Sequence, residues 1–190
     1  VVCELTPGHS DANVCVREGG GALVCIGSNA FGQLGLGSTD LTPHTSPTPV
    51  AGLPPIVGAR LGGETAFAWT ADGALWGWGR NDEGQVRPGA AAAVPSPQLL
   101  EIVAPGEGPV AICGVAAHRH STCARSCDGR VACWGRNDEG QLGNGTLTQA
   151  PAPTFVVDPA DVKGQLRGVI DLDVGERHAC ALRAGGTLRC

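Results

Sequence analysis

The chain has 190 residues and a net charge of −5, from 13 lysine or arginine and 18 aspartate or glutamate residues. No basic run exceeds two residues, which argues against a nucleic-acid partner because phosphate binding needs clustered basic side chains. No apolar run is long enough to span a membrane. With 42% hydrophobic residues, 30 glycines and 14 prolines, the composition favours short strands and tight turns over disorder or long helices.

Four β-hairpins are predicted in chain order. Each consists of two short alternating apolar runs joined by Asp-Gly or Gly-Gly, a strong local signal for a hairpin. The hairpins span residues 13–25, 63–78, 118–134 and 175–190. A further strand is predicted before the third and fourth hairpins, at residues 112–116 and 169–174.

Proline-rich segments at residues 43–55, 95–97 and 151–159 follow the first three hairpins. We expect extended edge segments and turns there, since proline has no N–H to donate inside a sheet.

A glycine- and glutamine-containing motif also follows each of the first three hairpins. Residues 79–85 recur letter for letter at 135–141, and a tryptophan, Trp78 or Trp134, precedes each copy. A more divergent copy occupies residues 27–35. The motif glutamines lie 52 and 56 residues apart; they are Gln33, Gln85 and Gln141. Three to four strands in a period of about 50 residues are typical of a propeller blade.

The combined pattern is G-x-x-H-x-C-A-L followed by D-G-x-V-x-C-W-G-x-N-x-x-G-Q-L-G-x-G. It resembles the RCC1 (regulator of chromosome condensation) repeat, in three copies and the front of a fourth. The resemblance implies a β-propeller, usually of seven blades, that serves mainly as a binding scaffold. We therefore predict an all-β fold of about three and a half RCC1-type blades, as part of a seven-bladed ring. The single partial domain 1–190 would contain repeat units 1–52, 53–109, 110–165 and a truncated 166–190.

Some copies depart from the pattern. Ile26 stands where tryptophan is expected, and Val86-Arg87-Pro88-Gly89 replaces Leu-Gly-x-Gly. The fourth copy ends at Cys190, immediately before its expected Trp-Gly, so we expect either a fragment or a protomer that another chain completes. The absence of methionine likewise suggests a processed or excised piece, and the excess of arginine over lysine suggests a bacterial source.

The nine cysteines predict a disulfide framework. Three pairs share a separation of ten residues, and in the second hairpin both positions change together, to Phe67 and Gly77. Such a pair faces across a hairpin, where Cβ atoms are close enough to be bridged. The predicted disulfides are Cys15–Cys25, Cys123–Cys133, Cys180–Cys190 and, from antiparallel neighbouring strands, Cys113–Cys127. Cys3 remains as the odd cysteine.

Paired cysteines indicate an oxidising compartment: extracellular, cell-surface or periplasmic. The alternative use of these residues is a zinc site at His118, His120, Cys123 and Cys127. It is the less favoured interpretation because Cys123 already has a partner in Cys133, and the other copies lack the cluster.

The remaining candidate residues are given structural roles. His9, His178 and either His118 or His120 recur at the start of a hairpin, where we expect hydrogen bonds to the turn backbone. The Asn-Asp-Glu-Gly segments at 81–84 and 137–140 lack the spaced oxygens of a calcium loop and fit a side-chain-capped turn. Trp78 and Trp134 are predicted to pack between blades. No catalytic motif is recognised, so we expect neither an enzyme nor a bound cofactor.

Binding is expected on the connecting loops, which differ in length and content between copies. The candidate partner-binding residues are Phe31, Phe155, Asp158, Asp161 and Lys163. We expect a non-enzymatic, extracellular scaffold whose partner is another protein or further copies of itself. The alternatives are a self-assembling surface or filament component, an enzyme-inhibiting propeller and, least favoured, a guanine-nucleotide exchange factor.

Overall fold

The computed structural model describes residues 4–7, 13–89, 91–162 and 164–190. Its regular elements are β-strands, which confirms the predicted all-β fold. Across these ranges, no helix has the length and apolar character needed to cross a membrane.

The strands of the described residues form four successive antiparallel meanders and one small hairpin. The first sheet contains β1 (Glu4–Pro7), β2 (Asn13–Arg17), β3 (Leu23–Asn29) and β4 (Asp40–Pro49). The second contains β5 (Ile56–Leu61), β6 (Thr65–Thr70), β7 (Leu75–Arg80) and β8 (Ala93–Leu100). The small hairpin of β9 (Val103–Ala104) and β10 (Gly108–Pro109) follows.

The third sheet contains β11 (Ile112–His118), β12 (Ser121–Ser126), β13 (Val131–Gly135) and β14 (Ala150–Phe155). The fourth contains β15 (Val169–Val174), β16 (Ala179–Arg183) and β17 (Leu188–Arg189). The predicted boundaries of the repeat units stay a prediction.

The second and third strands of each sheet form the predicted hairpins. Cys15 lies directly opposite Cys25, and Phe67 lies opposite Gly77 in the same register. The hairpin turns contain glycines at positive φ, such as Gly73 at +85°. Glycine adopts this conformation readily because it has no Cβ atom. Asp-Gly and Gly-Gly are therefore reliable sequence signals for these turns.

The proline-rich segments supply the fourth strand of each four-stranded sheet. Strands β4, β8 and β14 each pair with one neighbour in their sheet, so their prolines remove no hydrogen bond from a sheet interior. The predicted edge position of these segments is confirmed.

Adjacent sheets meet through their first and second strands. Strand β5 lies against β1 and β2, β11 against β5 and β6, and β15 against β11 and β12. A main-chain hydrogen bond of 2.9–3.0 Å recurs at these junctions, from the start of one sheet to the turn glycine of the sheet before it. The three bonds are Ile56 N to Gly21 O, Ile112 N to Gly73 O and Val169 N to Gly129 O. The sheets are therefore arranged as successive propeller blades.

Candidate binding site

The glycine- and glutamine-containing motif forms a capped loop between the third and fourth strands. In the third sheet Asn137 is fully buried, and its Oδ1 accepts a hydrogen bond from Leu142 N at 3.0 Å. Its Nδ2 donates to two main-chain carbonyl oxygens at 2.9 and 3.0 Å. Gln141 Oε1 accepts from Glu139 N at 3.0 Å. Equivalent bonds to main-chain N–H groups are made by Asn29, Asn81, Gln33 and Gln85. The predicted side-chain-capped turn is confirmed, because these amide oxygens bind the loop's own main chain.

The two motif tryptophans pack between sheets, as predicted. Trp78 is fully buried, and its Nε1 donates to Gln33 O of the first sheet at 3.0 Å. Trp134 is 1% exposed and meets Phe67 of the second sheet edge-on, with ring centroids 6.1 Å apart. Each indole therefore stabilises the junction with the sheet before its own.

The structure brings the predicted cysteine partners together. Three pairs lie across hairpins with Cα atoms 4.1 Å apart, and Cys113 and Cys127 have Cα atoms 4.9 Å apart. All four pairs are at disulfide distance. Cys123 and Cys127, the two cysteines of the alternative zinc site, thus each lie beside another cysteine. That these pairs are oxidised to disulfides in the cell stays a prediction. Cys3 lies outside the described residues.

The recurrent histidine positions contribute main-chain bonds to the turns. His178 O accepts from Gly175 N at 2.8 Å, and His120 O accepts from Arg136 N at 2.9 Å. The predicted bonds from imidazole nitrogens to the turn backbone stay a prediction. His9 lies outside the described residues.

The predicted partner-binding residues occupy two opposite faces. Because each sheet is an antiparallel meander, its loops alternate between two ends. Phe31 lies in the β3–β4 loop, at the end that we call the motif face and that contains loops 29–39, 81–89 and 137–149. Phe155, Asp158 and Asp161 lie at the other end, the connection face, which contains segments 50–55, 101–111, 156–162 and 164–168. Lys163 lies outside the described residues. A single compact site therefore does not contain all the candidates.

On the motif face, Phe31 is half-buried beneath an arginine. The Arg80 guanidinium lies 5.0 Å from its ring centroid and donates to Glu64 Oε2 at 2.6 Å and Asp82 Oδ1 at 2.9 Å. The hydrogen bond between Arg80 and Asp82 is the main reason that the pKa of Arg80 is raised and that the pKa of Asp82 is lowered. Arg80 thus carries a permanent charge that holds Phe31 in place.

On the connection face, Phe155 has a similar partner in Arg130. The guanidinium lies 5.4 Å from the Phe155 centroid, and its side chain is only 5% exposed. It pairs with Glu107 at 2.8 Å and with Asp128 at 2.7 Å. Burial raises the pKa of Asp128, but the hydrogen bonds from Arg130 and Ser126 outweigh it and lower the pKa to about 2. Neither arginine–phenylalanine contact could be predicted from sequence patterns, because the partners lie far apart along the chain.

The acidic connection after β14 is an ordered loop. Asp158 is 8% exposed, and its Oδ1 accepts from Ala160 N at 3.0 Å while Oδ2 lies 3.5 Å from Arg183. Main-chain bonds from Asp161 N to Asp158 O and from Gly164 N to Asp161 O close the turn. Val162, at the tip, is fully exposed. Asp158 therefore stabilises the turn, and Val162 is more exposed than the other exposed valine of this connection, Val157.

A cavity of about 560 Å³ opens between the third and fourth sheets. Gln141, Gly143 and Val156 line it on one side and Ala179 on the other. Of the predicted partner-binding residues that the structure describes, Asp158 lines this cavity. The sequence patterns did not predict this cavity, because its two sides come from different sheets.

Two models of a known protein family match the chain. The model of the Regulator of chromosome condensation (RCC1) repeat matches residues 21–69 and 128–182, and a second RCC1 repeat model matches residues 112–141. The chain belongs to the RCC1 repeat family. Its blades are RCC1-type propeller blades, and protein interaction is the broad function that membership supports.

Several curated relatives share this repeat. The Homo sapiens protein "Probable E3 ubiquitin-protein ligase HERC4" is 31% identical over 161 residues, which are 84% of this chain and 14% of the relative. The Drosophila melanogaster "Regulator of chromosome condensation" is 36% identical over 65% of this chain and 22% of its own length. The Danio rerio "Protein RCC2 homolog" is 33% identical over 63% and 22%. The chain thus spans less than a quarter of these relatives.

Two solved structures show the same fold. Human WBSCR16 superposes with a TM-score of 0.78 at 24% identity, over 97% of this chain and 46% of its own. Prp20p from Saccharomyces cerevisiae superposes with a TM-score of 0.79 at 22% identity, over 94% and 42%. At these identities the superpositions support the RCC1-type propeller fold.

Proposed function

We propose that the chain is a non-enzymatic, protein-binding propeller scaffold of an oxidising, extracytoplasmic compartment. The observation that carries the binding role is the hydrogen-bonded turn at Asp158 and Asp161, beside which Val162 is fully exposed on the connection face. A loop already held in one conformation loses little entropy when a partner binds, and this favours recognition. Prp20p, which shares the fold, is described for its binding properties to Gsp1p and histones, and this supports a protein as the class of partner.

The four cysteine pairs support the choice of compartment. Each lies at disulfide distance, and cytosolic thiols are normally kept reduced. The test is the intact mass of chain isolated from its source cells and alkylated without reductant. Eight cysteines should resist alkylation, and after reduction they should all react. Alkylation of every thiol before reduction would contradict the proposed compartment.

The binding role is tested by site-specific photo-crosslinking in the source cells. A photoreactive residue at position 162 should give a discrete crosslinked protein, which excess unlabelled chain displaces. The matched control is the same residue at Leu41, which is 89% exposed on an edge strand. Identical products at both positions, or none at position 162, would contradict a binding role for this loop.

A further inference from the structure

The chain has five asparagines, and one of them differs from the others in its surroundings. Four are at most 5% exposed, are followed by a residue with a side chain, and donate through Nδ2 to a main-chain carbonyl oxygen at 2.7–3.0 Å; they are Asn13, Asn29, Asn81 and Asn137. The fifth, Asn144, is half-buried in the β13–β14 loop of the motif face and is followed by Gly145. Its Nδ2 lies 3.3 Å from the acceptor Thr154 Oγ1. The amide nitrogen of Asn144 is therefore held more weakly than those of the other four.

The shared loop structure does not require an asparagine at position 144. In the first two copies of the motif the same position, three residues after the glutamine, is Leu36 or Pro88. Both of those loops are nevertheless capped by the asparagine that corresponds to Asn137. The amide of Asn144 is thus additional to the cap that the three loops have in common.

The side-chain oxygen of Asn144 is surrounded by hydrogen-bond donors. Thr146 N donates to Oδ1 at 3.1 Å, and Thr146 Oγ1 donates to it at 2.9 Å. The hydroxyl oxygen itself accepts from Thr148 N at 3.3 Å, which leaves its hydrogen for Asn144. A third donor, Nδ2 of the fully buried Asn137, lies 3.2 Å away. Donors fixed around a carbonyl oxygen stabilise negative charge that develops there during attack on the carbonyl carbon.

The main-chain nitrogen of Gly145 is available as the attacking group. Gly145 is exposed, and within the described residues its N–H donates to no acceptor. Its φ is +79°, a conformation that glycine adopts readily because it has no Cβ atom. The nitrogen and the side-chain carbonyl of Asn144 are separated by three bonded carbon atoms at most, so the attack is intramolecular and closes a five-membered ring.

We propose that Asn144 is a site at which the folded chain modifies itself. The Gly145 nitrogen attacks Asn144 Cγ and loses its proton to solvent, and the charge that develops on Oδ1 is stabilised by Thr146. The Cγ–Nδ2 bond then breaks, and Nδ2 takes up a proton and leaves as ammonia. The resulting succinimide adds one water at either carbonyl and opens to aspartate or isoaspartate. This chemistry needs no enzyme or oxidant, and it does not depend on the proposed partner or compartment.

The two products affect the motif face differently. Aspartate keeps the main chain intact and leaves side-chain oxygens that accept from Thr146, so the loop gains a negative charge and keeps its cap. Isoaspartate adds one carbon atom to the main chain before Gly145. Asn137 Nδ2 donates to the carbonyl oxygens of Thr146 and Thr148, at 2.9 and 3.0 Å, on the far side of that atom. The longer main chain displaces these carbonyls from the buried amide, so isoaspartate loosens the capped loop.

The site is tested by incubating the folded full chain in mildly alkaline buffer, followed by peptide mapping with mass spectrometry. Loss of the amide nitrogen changes the peptide mass, and a protein isoaspartate methyltransferase labels the isomerised product. Asn144 should be converted before the other four asparagines, and faster as the pH rises because the Gly145 nitrogen must lose its proton. Earlier conversion of another asparagine, or none at position 144, would overturn the proposal.

A pair of variants tests the hydroxyl donor. Thr146→Ala removes it and should slow the conversion of Asn144 about tenfold or more, whereas Thr146→Ser keeps a hydroxyl and should restore the parent rate. Circular dichroism checks that both variants are folded. In urea the loop is unfolded, and the parent and both variants should then react at one rate. Equal rates in the folded chains, or a difference that persists in urea, would overturn the proposal.

The chain isolated from its source cells provides the last check. Residues 144–146 also have the Asn-x-Thr pattern of an N-glycosylation acceptor. Peptide mapping of this chain should show an unmodified, deamidated or isomerised Asn144, with the altered forms increasing on storage. A glycan on Asn144 Nδ2 that a peptide N-glycosidase removes would assign the amide to glycosylation and overturn the proposal.

Discussion

The hydrogen bond from Trp78 to the first sheet can be measured by substitution with phenylalanine. Trp78→Phe removes the N–H that donates to Gln33 O at 3.0 Å and leaves a small void in a fully buried site. The lost hydrogen bond costs about 1–2 kcal/mol because the carbonyl is left without this donor. The void costs about another 1–2 kcal/mol, so we expect a total of about 3 kcal/mol in the free energy of unfolding.

Trp134→Phe is the matched control. Trp134 is equally buried, but its Nε1 has no hydrogen-bond partner among the described residues, and Gln85 O accepts from Thr122 instead. The substitution therefore removes a similar volume without removing a hydrogen bond. We expect it to be less destabilising than Trp78→Phe by about 1–2 kcal/mol.

The assay is equilibrium unfolding in urea, followed by far-ultraviolet circular dichroism because both substitutions alter tryptophan fluorescence. Differences in midpoint at an unchanged slope report the change in stability. Equal destabilisation by the two variants, or a larger effect of Trp134→Phe, would refute the reasoning. It would mean that the indole of Trp78 stabilises the junction by its shape alone, without a contribution from its hydrogen bond.

Further predictions concern the third sheet. Thr122→Ala should lower the free energy of unfolding by less than about 1 kcal/mol, since the indole N–H of Trp134 can donate to the vacated Gln85 O. In urea unfolding, the double variant with Trp134→Phe should be destabilised by more than the sum of the two single variants. Asn137→Ala should lower stability by about 3 kcal/mol, measured by thermal unfolding, because one main-chain N–H and two carbonyls lose a buried partner; a loss below 1 kcal/mol would contradict the capping role. The lowered pKa of Asp128, about 2 against an ordinary 3.8, predicts stability that is present above pH 4 and lost towards pH 2. Because this side chain is 51% exposed, Asp128→Asn should cost no more than about 1 kcal/mol at pH 6 and much less near pH 2, where the carboxylate is half protonated. A stability difference that does not change with pH would contradict this assignment.

Much of the fold could be predicted because its signals are local and repeated. Asp-Gly and Gly-Gly turns mark the hairpins, and prolines mark the edge strands. The period of the motif indicates that Trp78 and Trp134 have equivalent packing roles. A hairpin forms its hydrogen bonds between residues close in the chain, so short sequence patterns are enough to place it. Cysteines are present or absent in pairs because the two positions lie directly opposite each other in a hairpin.

The candidate sites depended on contacts between residues far apart in sequence. Loop composition placed Phe31 and Phe155 in one group, but the strand directions put them on opposite faces. Asp158 looked like a surface contact, yet its carboxylate orders its own loop. The sequence by itself determined the blades, because each blade repeats the same local hydrogen bonding. Only the tertiary structure decided which loops share a face and which donor reaches each motif carbonyl, because those depend on how one sheet packs against the next.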